Sequence, residues 1–168
     1  MAQTTVVIET DFGTIQLALD SEHAPKTVEN FLRYVDSGHY DGTVFHRVIP
    51  GFMAQGGGFD ARYEKKPVAA PVENEADRGI KNVRGTVAMA RTGEPHSATA
   101  QFFVNVADNA FLDHTSKTPT GWGYTVFGTV VSGMDVVDRI VATSTGARGP
   151  FAKDAPLEPI AIRSVRRA

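Results

Sequence analysis

The sequence predicts a mainly β domain, an antiparallel barrel or sandwich, and three observations predict it. Short runs of alternating apolar residues recur along the 168-residue chain. Only two stretches carry helical spacing, and turns rich in Gly or Pro separate the runs. Pattern alone leaves barrel and sandwich open. A closed barrel would remove the sheet edges and leave open ends for helices to plug. No repeat, linker or break in composition divides the chain, so residues 1–168 read as a single domain.

Val6 and Ile8 alternate with Val7 and Glu9, and Ile15, Leu17 and Leu19 with Gln16 and Ala18, which predicts a hairpin about Asp11-Phe12-Gly13. Val28, Phe31, Leu32 and Val35 then fall on one helix face. Pro25 suits the first turn of that helix and Gly38 its end. Residues 43–49 are β-branched and aromatic, Pro50-Gly51 turns, and residues 52–55 resume as strand, with Met53 and Gln55 on one face. Gly56-Gly57-Gly58 is no phosphate loop, because no Lys-Ser/Thr and no helix follow; close backbone approach in a bent strand is the reading. Residues 60–81, with Pro67 and Pro71, read as a surface loop. Strands are expected at 86–90, 102–106 and 124–131, with small polar residues in the loop 91–100 and irregular chain at 113–123. Ser132 is the expected N-cap of a second helix through Met134, Val137 and Val141, paired with Asp135 as a capping box. Residues 143–158 read as loop, and Ile160 and Ile162 open a last strand.

The composition excludes several functions. A net charge of -2 argues against nucleic acid as a partner, and Arg163, Arg166 and Arg167 read as a solvated strand end. There is no cysteine, hence no disulfide or thiol chemistry. His23, His39, His46, His96 and His114 lack ligand-pair spacing, so neither metal nor other cofactor is expected. Residues 1–10 have neither the basic start nor the apolar core of a signal peptide, no stretch suits a membrane, and no Asn-X-Ser/Thr occurs. A cytoplasmic protein is the expectation. No heptad or large apolar stripe suggests a dimer, so a monomer is expected.

Residues 45–59 set one guanidinium, one amide and one imidazole among large apolar side chains, with no Ser or Cys nucleophile. Such a segment can grip and polarise a peptide but has little means of cutting one. The run Phe45-His46-Arg47-Val48-Ile49-Pro50-Gly51-Phe52-Met53-Ala54-Gln55-Gly56-Gly57 resembles the signature of the cyclophilins, the peptidyl-prolyl cis-trans isomerases. The resemblance continues through Gly85 to Ala90, Gln101-Phe102-Phe103, Phe111-Leu112-Asp113 and Val126-Phe127-Gly128, in the family's order.

That resemblance implies a closed eight-stranded antiparallel β-barrel capped by two α-helices, with the site on its outer surface. It implies rotation about X-Pro bonds without a covalent intermediate, in proline-containing peptides and in unfolded or folding proteins. Arg47 would be catalytic. Phe52, Met53, Phe103, Leu112 and Tyr124 would form the proline slot, and Gln55 and Gln101 would orient the peptide backbone. Ala90 and Arg91 would line the strand edge, and His46 and Phe111 would border the substrate. Where many eukaryotic cyclophilins have Trp, His and Asn, this chain has Phe111, Tyr124 and Arg91, and its loops before Gln101 and Tyr124 are longer, as in the bacterial cytosolic branch. Phe111 lacks an indole N–H, so any cyclosporin binding should be weak. Trp122 lies in the longer loop and reads as a packing residue.

Two other function classes compete. A proline-peptide binding module or chaperone would use the same groove without needing Arg47, and a metal enzyme would need ligands that the histidine spacing does not supply.

Overall fold

The computed structural model describes residues 4–78 and 80–168. Its strands are β1 (Thr5–Thr10), β2 (Gly13–Leu19), β3 (Thr43–Ile49), β4 (Met53–Asp60), β5 (Thr86–Met89), β6 (Phe102–Asn105), β7 (Val126–Ser132), β8 (Thr145–Arg148), β9 (Phe151–Pro156) and β10 (Ala161–Arg167). Two helices, α1 (Pro25–Asp36) and α2 (Met134–Val141), complete the fold. Eight strands close into an antiparallel barrel in the order β1-β10-β3-β4-β6-β5-β7-β2. Closure leaves no open barrel edge, which decides between barrel and sandwich.

The barrel interior and its helices share one core. Ile8, Leu17, Phe45, Val48, Val104 and Phe127 point inward, and α1 contributes Phe31 and α2 Ile140. The Phe31 ring lies 4.9 Å from Phe127, 5.2 Å from Tyr40 and 5.8 Å from Phe102. Burying each such ring stabilises the fold by about 1.5–3 kcal/mol relative to exposure.

Pro25 stands in the first turn of α1, and Ser37 and Gly38 (φ +74°) end it. No side chain of the helix caps its N-terminus. Glu75, buried in the 60–81 segment, accepts hydrogen bonds from Thr27 N at 2.7 Å and Thr27 Oγ1 at 2.8 Å. A carboxylate suits the positive end of the helix. That segment is therefore more than a surface loop: Tyr63, Asn74, Glu75 and Ala76 are buried in it.

Two further expectations are corrected. Ser132 ends β7, and the N-cap of α2 is Gly133, at φ +94°. The chain turns there against β2, where a Cβ would stand 2.3 Å from Thr14 O, so glycine takes the cap position. Residues 143–158 are not loop throughout but hold the β8–β9 hairpin, whose alternation Gly146, Gly149 and Pro150 obscure. As expected, Arg163, Arg166 and Arg167 on β10 are exposed at a solvated strand end. They pair with Asp11 at 2.9 Å, Glu9 at 3.9 Å and Asp36 at 2.7 Å. Exposed pairs of this kind are worth about 0–1 kcal/mol each.

One irregularity positions the site. In β3, Phe45 pairs with Gly56 of β4 and Arg47 pairs with the next residue, Gln55. His46 is thus a surplus residue in the ladder, a β-bulge. Without it Phe45 and Arg47 would share a face. With it Phe45 enters the core while Arg47 turns outward beside Gln55.

Candidate active site

Cross-strand pairing builds a second apolar cluster on the barrel's outer wall. Met53 and Gln55 share a face of β4. Gln55 faces Phe103, Phe103 faces Ala88, and Ala88 faces Val126. Met53, Ala88, Phe103, Leu112 and Val126 are buried together under Phe52, Ala90 and Tyr124. An outer strand face is normally wet, so this second core marks a place where something apolar is to be received.

A cavity of about 140 Å³ opens on this cluster. Met53, Phe103 and Leu112 are its buried apolar lining, and Phe52, Ala90 and Tyr124 complete the apolar wall. Arg47, Gln55 and Arg91 are its polar members. The Arg47 guanidinium carbon lies 5.9 Å from the Phe52 ring centroid, a weak cation–π contact. Among the described residues Arg47 has no carboxylate partner and no side-chain hydrogen bond. Its donors are left for a ligand. Arg91 is fixed differently. Its Nε donates to Gly123 O at 2.9 Å, its Nη1 to Thr92 O at 2.8 Å, and its guanidinium carbon lies 4.6 Å from the Tyr124 ring centroid.

Gln55 Nε2 donates to Gln101 Oε1 at 3.0 Å, which orients both amides. Gln101 lines an adjoining cavity of about 190 Å³ rather than the first. Its side chain lies over Gly58, where a Cβ would stand 2.4 Å from Gln101 Cγ. This is the close approach expected of the triple glycine. Phe111 is 75% exposed and flanks the slot, its ring 5.6 Å from that of Phe52, outside the cavity lining.

His46 stands apart from the cavity. It is 3% exposed, packed between Phe59 at 4.8 Å and Phe151 of β9 at 5.1 Å, and its Nδ1 has no hydrogen-bond partner. Burial first, and the Arg47 charge second, hold its imidazole down at about 4. It is neutral at neutral pH and does not reach the slot. The bulge that turns Arg47 to the cavity puts His46 under the β8–β9 hairpin instead. Trp122 packs edge-on between His96 at 4.9 Å and His114 at 5.2 Å.

Sequence reasoning missed a set of asparagines behind the slot. Asn105 Nδ2 donates to Asn82 Oδ1 at 3.1 Å and to Thr86 Oγ1 at 3.0 Å. Asn109 Nδ2 donates to Asn105 Oδ1 at 2.8 Å and to Phe52 O at 3.0 Å. Asn82 Nδ2 lies 3.3 Å from both Leu112 O and Tyr124 O. All three asparagines are buried, and the network ties down the backbone of three slot residues. A signal was available only at Asn105, an amide inside the apolar run from Phe102 to Val106, while Asn82 and Asn109 stand beside charged residues in separate segments.

A larger cleft, about 510 Å³, lies between α1 and residues 69–73. Its cations Lys26 and Arg33 are paired with Glu73 and Glu29. Among the described residues no group of three His, Asp or Glu could hold a metal.

Comparison with known proteins agrees with the fold. Residues 5–167 match the family described as cyclophilin type peptidyl-prolyl cis-trans isomerase/CLD. The chain is 60% identical to the peptidyl-prolyl cis-trans isomerase cyp18 of Streptomyces antibioticus over 163 residues, 96% of this chain and 97% of that one. It is 52% identical to peptidyl-prolyl cis-trans isomerase B of Escherichia coli K12, over 95% of this chain and 97% of the relative. A cyclophilin-type isomerase crystal structure from Cryptosporidium parvum superimposes with a TM-score of 0.79 at 24% identity, covering 99% of this chain and 98% of that one. With a barrel of this order and a family match over nearly the whole length, the chain belongs to the cyclophilin-type peptidyl-prolyl cis-trans isomerases.

Proposed function

We propose that this isomerase works at the cavity around Arg47, and that Arg47 is its catalytic residue. The carrying observation is a guanidinium that lines an apolar slot and has no carboxylate or hydrogen-bond partner among the described residues. The task is rotation about an X-Pro amide, whose resonance sets a barrier of about 18–20 kcal/mol. No bond is made or broken. The catalyst must hold the twisted amide better than either planar form. In the twisted state the prolyl nitrogen regains a lone pair and accepts hydrogen bonds more strongly. Arg47 donates to that nitrogen or to the rotating carbonyl, and its fork stays charged at any working pH. Stabilising the twisted form by about 5 kcal/mol gives roughly several-thousand-fold acceleration.

Phe52, Met53, Phe103, Leu112 and Tyr124 hold the proline ring. Gln55 and Gln101 orient the peptide backbone, while Ala90, Arg91 and Phe111 border its path. His46 takes no proton; its part is to pack β9 against β3. The natural substrates are unfolded or folding proteins with accessible X-Pro bonds, met by a monomer in the cytoplasm. The whole chain acts as a single domain without cofactor. Among the described residues no helix is long and apolar enough to cross a membrane. Cyclosporin binds weakly, because Phe111 offers no N–H donor.

The test is NMR exchange on an X-Pro tetrapeptide with wild type and Arg47→Ala. The expected result is a loss of exchange far larger than the loss of peptide affinity. Equal losses would favour the non-catalytic binding module.

A further inference from the structure

We propose that the preferred substrates are X-Pro peptides carrying a side-chain carboxylate near the proline, selected by Arg91 and Lys65. This rests on the isomerase reading of the Arg47 cavity. The adjoining cavity shares Gln55, Ala90 and Arg91 with the proline slot, and Lys65 stands on its wall. An extended peptide advances about 3.3–3.6 Å per residue, so a proline in the first cavity carries its neighbours along the shared wall of Gln55, Ala90 and Arg91 into the second.

The charges here are one-sided. Arg47, Arg91 and Lys65 line the two cavities, and among the described residues no Asp or Glu does. Acid is not scarce in the chain, which holds 19 acidic and 17 basic side chains. Across the chain, eight of the 17 basic side chains have carboxylate partners and, among the described residues, nine do not. The three groove cations have none among the described residues.

Arg91 is also built to receive an anion. Two backbone carbonyls and the Tyr124 ring hold its guanidinium in place, so little side-chain freedom remains to be lost on binding. Its two bonds use two of five N–H donors. The backbone of Lys65 is pinned by a bridge to Phe59 of β4, and the residue lines the second cavity. A substrate carboxylate between these cations gains attraction from both, and a lysine there is repelled.

The experiment is NMR exchange on matched peptides around Ala-Pro, with Glu, Gln or Lys placed at one position at a time on either side of the proline. No coupled protease is used, so the charge acts on this enzyme alone. At one position kcat/KM for Glu should exceed that for Lys by about threefold to tenfold at low salt, with Gln between them. The ratio should shrink toward unity in about 0.5 M salt. Arg91→Gln should lower the ratio and Lys65→Glu should lower it further or invert it. Turnover of Gln peptides with a Glu-to-Lys ratio of one at every position would overturn the proposal, as would a ratio that both variants leave unchanged. If even the Gln peptides are not turned over, the isomerase reading itself fails.

Discussion

At the scale of the residue, Arg47 and His46 are neighbours with opposite fates. Arg47 faces the slot with its donors free, and the proposed mechanism needs the shape of its fork as well as its charge. Arg47→Lys keeps the charge and loses the planar donors, so kcat/KM on an X-Pro tetrapeptide should fall by about tenfold to a hundredfold, less than for Arg47→Ala. No group in the mechanism exchanges a proton, so kcat/KM for a neutral peptide should stay flat from about pH 6.5 to 9. Stability is different. Folding holds the His46 imidazole at about 4, below its unfolded value near 6.5. Between those values the unfolded chain binds the extra proton. The contribution is therefore complete above about pH 6.5 and is lost as pH falls toward 4, to the extent of about 2–3 kcal/mol. His39, also held down chiefly by burial, adds the same sign. Denaturation midpoints against pH should show this fall, and His46→Phe should flatten it. Arg47 was legible in the sequence because its motif is contiguous. The exile of His46 was not, because it follows from one bulge and from the placing of Phe151 105 residues along.

At the scale of the element, two supports come from far along the chain. Glu75 caps α1 across 48 residues of sequence. Glu75→Gln removes a charge-assisted bond at a helix N-terminus, so it should cost about 1–2 kcal/mol and lower Tm by about 3–6 °C, read by circular dichroism. It lies outside the slot, and kcat/KM well below Tm should not change. Asn109→Ala breaks the bonds to Phe52 O and Asn105 Oδ1. It should lower Tm comparably but also raise KM by about threefold to tenfold, since the slot wall is released. Comparing the two variants separates loss of stability from loss of positioning. Neither support could be read locally, because each joins segments that only the folded barrel brings together. The same reason hid the true cap of α2, whose glycine is demanded by Thr14 O of another strand. The β8–β9 hairpin was missed for a local reason: its strands are short and broken by Gly and Pro.

At the scale of the whole molecule, alternation showed that strands dominate but not how they close. The barrel depends on contacts such as Val6 with Arg167, between the two ends of the chain, and no local pattern reports those. The contiguous motifs supplied what periodicity could not. Closure also divides the molecule into a laddered barrel and a hairpin paired only with itself. Hydrogen exchange should therefore show β8–β9 amides opening at lower free energy than those of β1, β2 and β10. The bulge in β3 has one more consequence. A slip of one residue that paired His46 with Gln55 would leave Arg47 and every slot residue in the chain, yet set Arg47 opposite Ala54, which lies in the core, and swing the cation toward the buried interior. The enzyme would be silenced by miscounting rather than by misspelling, and register in this strand is as much an instruction as identity.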